Sequence, residues 1–206
     1  MQPGSSGDLR ARRSEILSTQ ELNGMTKATE GCRRTDPDAR SAQPALRRLL
    51  RALEAAGREV TRVHALVVPR RKIDAYSRAR AGSLPRQRFA YHTTTCAAAR
   101  SIAAGGFDPD RVRSVAFGHG VNLGTSTDQA LMYASPGASC TLVCAVAVGR
   151  SHANRSMPGT EGGDTVPLHM RPRRGYDSMH GARGQILVVP DPARVLPLVV
   201  VSHRAA

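Results

Sequence analysis

Histidine can bind ligands at neutral pH in more ways than other side chains, and His92 stands in the run Phe89-Ala-Tyr-His-Thr-Thr94. The residues just before it, Arg88–Tyr91, have the composition of a short strand that ends at the histidine. A single histidine at a strand end is more often a satisfied structural residue than a ligand contact. The role of His92 therefore depends on the motifs that accompany it.

The four cysteines, Cys32, Cys96, Cys140 and Cys144, are the next candidates for chemistry. A zinc site would need a second pair of ligands at a suitable spacing, and only His152 lies near Cys140 and Cys144. The cysteines are also too few for a disulfide framework in a chain of 206 residues. We expect buried free thiols in a reducing compartment, and no metal.

The segment Gly118-His119-Gly120 is the third candidate, because glycine-rich loops can cradle phosphates. It lacks the strand–loop–helix context and the lysine of a P-loop, which excludes that interpretation. We expect the His119 side chain to be exposed.

The elements that must position these residues indicate an α+β fold. A helix is expected over Pro44–Gly57, where Leu46, Leu49, Leu50 and Leu53 form one stripe. The remaining segments do not follow a regular βαβ alternation. We expect further helices at Arg71–Arg80 and Cys96–Ala104, and strands at Val60–Val68, Arg88–Tyr91, Cys140–Gly149, Gln185–Val189 and Val195–Ser202.

The first 43 residues are polar and basic, and they bury too little to offset the entropy of ordering. We expect a disordered tail over 1–43, a leading helix over 44–57 and a folded domain over 58–206. The tail lacks the apolar core of a signal peptide, and no segment is long enough to span a membrane. We expect an intracellular protein, cytoplasmic or nuclear, without a membrane partner.

A formal net charge of +14 suggests a polyanionic partner, or simply a proteome that uses arginine heavily. Residues 70–88 carry seven of the Lys and Arg residues against one Asp. Nucleic-acid-binding proteins usually add aromatic stacking platforms, and this chain has only three Phe and four Tyr. Nucleic acid is therefore a possible partner but not the favoured one.

Several short motifs follow one another in an order that resembles a known family. They are Phe89-Ala-Tyr-His-Thr-Thr94, Gly-Gly-Phe107-Asp108, Phe117-Gly-His-Gly-Val-Asn-Leu123, Tyr133, Tyr176-Asp-Ser178 and Gln185-Ile-Leu-Val-Val-Pro-Asp191. Together they resemble the catalytic domain of poly(ADP-ribose) polymerases, in particular the mono-ADP-ribosylating branch. The resemblance covers residues 58–203. It implies a fold of split antiparallel and mixed β-sheets with short flanking helices, which binds NAD in a bent conformation.

The resemblance also implies roles for individual residues. His92 would hydrogen-bond the adenosine ribose of NAD. Thr93, where the family usually has Gly, would hold the nicotinamide carboxamide through its backbone N–H and C=O. Tyr133 would stack on the nicotinamide ring.

Three positions depart from the pattern of the family. Asn122 replaces a Tyr that forms one wall of the nicotinamide slot, and Ala130 replaces a Ser that contacts the carboxamide. Ile186 replaces the Glu of polymerising members, as it does in relatives that transfer a single ADP-ribose. Ile186 therefore argues against polymerisation, while an acceptor protein could still supply a carboxylate.

The resemblance therefore implies an enzyme that transfers one ADP-ribose from NAD to a protein side chain, with His92, Asn122 and Ile186 at the catalytic positions. Thr93, Ala130 and Tyr133 would complete the NAD site. The alternatives are a degenerate module that binds NAD, ADP-ribose or a protein without chemistry, and a basic nucleic-acid adaptor.

Overall fold

The computed structural model describes residues 39–82, 87–108, 118–132, 137–153, 172–181 and 184–205. They form an α+β arrangement, which confirms the predicted class. The helices are a 3-10 turn Ala39–Ala42, α1 Gln43–Ala55, α2 Arg70–Ala81, α3 Cys96–Gly105, α4 Thr127–Met132 and a 3-10 turn Pro192–Arg194. The strands are β1 Arg58–Ala65, β2 Gln87–Thr94, β3 Val121–Gly124, β4 Cys140–Ala147, β5 Ser151–Ala153, β6 Ser178–Gly181, β7 Ile186–Val189 and β8 Val195–Ala205.

The strands form one mixed sheet in the order β1-β8-β4-β2-β3-β7-β6-β5. Strands β5 and β6 run parallel, and the other neighbouring strands run antiparallel. Strand β2 pairs with β4 along its whole length, but it pairs with β3 only through Tyr91 and Gly124. The sheet is therefore divided into two halves that are joined at a single pair of residues.

Helices cover both faces of the sheet. On one face, buried Ala90, Leu142 and Cys144 join Ala99 of α3 in the main apolar core. On the other face, the Tyr91 hydroxyl donates a hydrogen bond of 3.1 Å to the carbonyl oxygen of Ala45 in α1. Because neighbouring residues of a strand point to opposite faces, the side chains of Tyr91 and His92 lie on opposite faces of the sheet.

The predicted leading helix is present as α1, with Pro44 in its first turn and Leu46, Leu49 and Leu53 buried, although Leu50 is only half-buried. Each predicted strand and helix overlaps an observed element. The 1–43 tail lies outside the described residues up to residue 38, and residues 39–43 are helical. None of the described helices is long and apolar enough to cross a membrane.

The prediction of free thiols is wrong for two of the cysteines. Cys96 and Cys140 form a disulfide with 5.2 Å between their Cα atoms. The pairing of β2 with β4 places Cys140 opposite Thr94, two residues before Cys96, so the strand register brings the cysteines together. Cys144 is free and fully buried, and burial raises its thiol pKa. Cys32 lies outside the described residues.

Removing the disulfide should lower the free energy of unfolding by about 3–4 kcal/mol, because the cross-link spans 44 residues of the unfolded chain. The double variant Cys96→Ala/Cys140→Ala should unfold at a lower urea concentration than the wild type. Adding dithiothreitol should lower the wild-type midpoint and leave that of the double variant unchanged. Cys144→Ala is the matched control and should stay sensitive to the reductant. A wild-type midpoint that ignores the reductant would contradict this prediction.

Candidate functional site

His92 lies where the two halves of the sheet meet. Its Nδ1 atom is 3.0 Å from the backbone oxygen of Asn122 on β3, so the ring reaches across the split between β2 and β3. Its ring packs against that of Phe107, with the ring centroids 5.2 Å apart and the planes nearly perpendicular. Two contacts therefore fix the orientation of the imidazole.

The hydrogen bond to Asn122 also fixes the tautomer of His92. A carbonyl oxygen can only accept, so Nδ1 carries the hydrogen and donates it. Burial lowers the pKa of His92, and the hydrogen bond to Asn122 partly opposes that shift. The ring is therefore neutral at pH 7, and Nε2 keeps a lone pair. Among the described residues, none hydrogen-bonds Nε2.

The strand register places Thr93, Asn122 and Ile186 on the opposite face of the sheet from the His92 side chain. Tyr91 faces Gly124, and Gly124 faces Ile186, so these three positions share one face. Strand alternation adds Thr93 and Asn122 to that face. The sequence-predicted set is thus divided: Thr93, Asn122 and Ile186 share one side, and His92 points to the other from the same junction.

Gly124 brings Ala130 to the same face. A Cβ atom at Gly124 would lie 2.6 Å from the backbone nitrogen of Ala130 and 2.9 Å from its Cα and Cβ atoms. Helix α4 therefore rests directly on the strand, which is possible only because residue 124 has no side chain. Ala130 is buried at this contact, against Gly124, which pairs with Ile186 of β7.

The Asn122 side chain is engaged with the turn that leads into β3. Its Nδ2 atom donates a hydrogen bond of 3.2 Å to the carbonyl oxygen of Gly120. Gly120 has a φ of +146°, and a Cβ there would lie 2.7 Å from the Val189 oxygen. Only glycine fits such a turn. The short amide of Asn122 thus stabilises the turn before β3.

His119 differs from its prediction, because its side chain is half-buried and not exposed. The turn between Gly118 and Gly120 folds it inward, and its Nδ1 atom is buried without a hydrogen-bond partner among the described residues. Tyr133, the predicted stacking residue, lies outside the described residues, so its role stays a prediction.

Asp177 of the Tyr-Asp-Ser motif has a structural role. One carboxylate oxygen accepts a 2.9 Å hydrogen bond from the Arg150 backbone N–H, and the other lies 2.7 Å from Nη2 of Arg194. Arg194 also donates to the carbonyl oxygen of Ala147 at 3.4 Å. This arrangement ties the segment before β6 to the ends of β4 and β8.

A row of side chains that the sequence did not reveal leads to Thr93. The Thr93 hydroxyl is 3.0 Å from the Thr141 hydroxyl, and Thr141 is 3.0 Å from Nε2 of His203. The Nδ1 atom of His203 is 3.3 Å from Nη1 of Arg58. Burial, and secondly the charge of Arg58, lower the His203 pKa to about 4. The sequence shows that these residues are polar, but it does not show that they are neighbours, because they are far apart along the chain.

A cavity of about 180 Å³ lies between α2, α3 and the segment that leads into β8. Lys72, Ile102, Gly106, Asp191 and Leu196 are among its lining residues, and none of the sequence-predicted site residues lines it. The volume is below the range typical of ligand pockets, so this cavity does not hold a dinucleotide. No group of three or more His, Cys, Asp or Glu side chains within the described ranges could hold a metal ion.

No protein-family model matches this chain, and no curated protein sequence matches it significantly.

The low pKa of His203 should make the protein less stable in mild acid. The unfolded chain binds a proton near pH 6.5, while folded His203 binds one only near pH 4. Stability from this residue is therefore complete above pH 6.5 and is lost as the pH falls toward 4. The loss should be about 3 kcal/mol. Urea denaturation at a series of pH values measures it. His203→Gln, which keeps a donor and an acceptor, should flatten the profile, and an unchanged slope would contradict the assignment.

Gly124→Ala should destabilise the protein by about 1–3 kcal/mol, because the new methyl group collides with the backbone of α4. Gly105→Ala is the matched control, since a Cβ there meets no atom within 4 Å. Thermal or urea unfolding should show a lower midpoint for the first variant and an equal or slightly higher one for the second. Equal midpoints for the two variants would show that α4 does not rest on Gly124.

Proposed function

We propose that the folded region binds NAD across the split between β2 and β3 and transfers one ADP-ribose to an acceptor protein. The observation that carries the proposal is the His92 ring, which is held neutral with Nε2 unengaged among the described residues. A neutral imidazole with a lone pair can accept a hydrogen bond from a ribose hydroxyl. The order of the motifs in the sequence supports the same assignment.

The junction of the two sheet halves supports a bent dinucleotide. In the proposed complex, His92 holds the adenosine ribose on one side of the junction. Thr93, Asn122 and Ala130 line the nicotinamide end on the other side, where they share a face of the sheet. A ligand that contacts both sides must turn at the split. Holding the dinucleotide in this shape is the main contribution of the protein to the reaction.

The reaction breaks the bond between C1′ of the ribose and the nicotinamide nitrogen. Nicotinamide takes the bonding electron pair and leaves as a neutral ring, and a side chain of the acceptor forms the new bond to C1′. Ile186 is 3% exposed and has no group that could remove a proton from a ribose hydroxyl. An acceptor carboxylate is already ionised and needs no base. The proposal is therefore mono-transfer to an acidic side chain, without chain elongation.

Binding without transfer is the second candidate, and Asn122 favours it. Its amide is hydrogen-bonded to Gly120 and offers no aromatic surface to a nicotinamide ring. Ala130 likewise offers no hydroxyl. A module with these changes could keep ADP-ribose at His92 and lose the positioning of the leaving group.

Purified protein incubated with labelled NAD should incorporate label, and His92→Ala should reduce both incorporation and NAD affinity by about tenfold, because one hydrogen bond and its packing are lost. His64→Ala, at an exposed histidine of β1, is the matched control and should behave like the wild type. Melting temperatures of all variants identify any loss that comes from unfolding.

The outcomes separate the two candidates. NAD binding without incorporation selects the binding module, and Asn122→Tyr should then raise incorporation if the slot is otherwise intact. Neither binding nor incorporation by the wild type at millimolar NAD would overturn both candidates.

A further inference from the structure

Four polar side chains form a continuous row across the half-sheet β1-β8-β4-β2. Arg58, His203, Thr141 and Thr93 each belong to a different strand, and successive atoms are 3.3, 3.0 and 3.0 Å apart. The row spans about 14 Å, since neighbouring strands lie about 4.8 Å apart. Thr141 and His203 are buried, while Thr93 at the end of the row is half-buried.

The direction of each hydrogen bond in the row follows from Arg58. A guanidinium can only donate, so Nδ1 of His203 accepts and its hydrogen must be on Nε2. Nε2 therefore donates to the Thr141 hydroxyl oxygen. Thr141 is fully buried, and its only other hydroxyl neighbour among the described residues is Thr93. The Thr141 hydroxyl must therefore donate its hydrogen to the Thr93 oxygen, because a buried hydroxyl without an acceptor is costly.

At the end of the row that reaches the sheet junction, the hydroxyl hydrogen of Thr93 is then left without an acceptor among the described residues. The Thr93 oxygen already accepts from Thr141, and no other described residue bonds it. Thr93 belongs to the same face as Asn122 and Ala130, at the junction of the two sheet halves. The Thr93 hydroxyl thus offers a donor on the face of the sheet where Ala130 offers none.

We propose that the Thr93 hydroxyl donates a hydrogen bond to the carboxamide oxygen of bound NAD, and that Arg58, His203 and Thr141 are positioning residues that fix this direction. This inference rests on the proposed function. The carboxamide oxygen is a neutral acceptor, which suits a neutral donor. The phosphates of NAD would instead favour a cation.

The first experiment compares two probes, NAD and ADP-ribose, by calorimetry on the full chain. Only NAD carries the carboxamide. Thr93→Val should weaken NAD binding by about three- to tenfold, the range for one neutral hydrogen bond, and leave ADP-ribose binding unchanged. Thr93→Ser, which keeps the hydroxyl, should bind both probes like the wild type.

Each other outcome overturns the inference in a recognisable way. If the wild type binds NAD and Thr93→Val binds it equally well, the donor assignment is wrong while the proposed function stands. Equal weakening of both probes would make Thr93 a structural residue. Failure of the wild type to bind either probe would remove the proposed function and this inference together.

The second experiment tests the row in the wild-type protein and does not require Thr93→Val to fold. Nitrogen NMR of His203 at pH 7 should show hydrogen on Nε2 and none on Nδ1. Arg58→Met removes the fixed donor about 14 Å from Thr93, and it should allow the opposite tautomer and weaken NAD alone. A His203 ring with hydrogen on Nδ1 in the wild type would overturn the proposed direction.

Discussion

The hydrogen bond from His92 to the backbone oxygen of Asn122 is the contact on which the centre of the protein depends. The two halves of the sheet share only one facing pair, Tyr91 and Gly124, and this bond adds a second link across the same gap. It also decides which nitrogen of His92 remains available. One contact therefore links the two halves and determines which ring nitrogen can bind a ligand. A ligand bound at Nε2 would depend on the spacing of the halves, because moving them apart would release the imidazole.

The sequence predicted the long elements well, because their signals are local. The leucine stripe of α1 and the apolar runs of β4 and β8 are long enough to show a pattern, and β7 was recognised because all four of its residues are apolar. Strands β3, β5 and β6 have only three or four residues, too few for any periodicity. Asn122 was nevertheless placed in the site by its motif. The structure puts it on the strand next to His92, and Ile186 on the strand beyond.

The polar row and the disulfide, which the sequence did not predict, both depend on register between distant segments. The contacts of the polar row join residues separated by 145, 62 and 48 positions. The disulfide joins residues 44 apart, and it forms because β2 and β4 align Thr94 with Cys140. A one-residue slip in either pairing would turn every side chain to the other face and break these contacts. These contacts can therefore be identified only when the pairing of the strands is known.

Although the chain has a strong positive net charge, the two arginine side chains that reach into the described fold are each held by a specific partner. The half-buried Arg194 is paired with Asp177, and Arg58 faces a neutral histidine whose pKa is low. The hydrogen bonds of the row from Arg58 to Thr93 thus orient the Thr93 hydroxyl at the junction. The charged group of the row, Arg58, lies at its other end. In the proposed complex this matters, because the nicotinamide ring is a cation before the bond breaks, and positive charge develops on the ribose as it does. A cationic donor at Thr93 would repel both, whereas a neutral hydroxyl can hold the carboxamide without opposing the reaction.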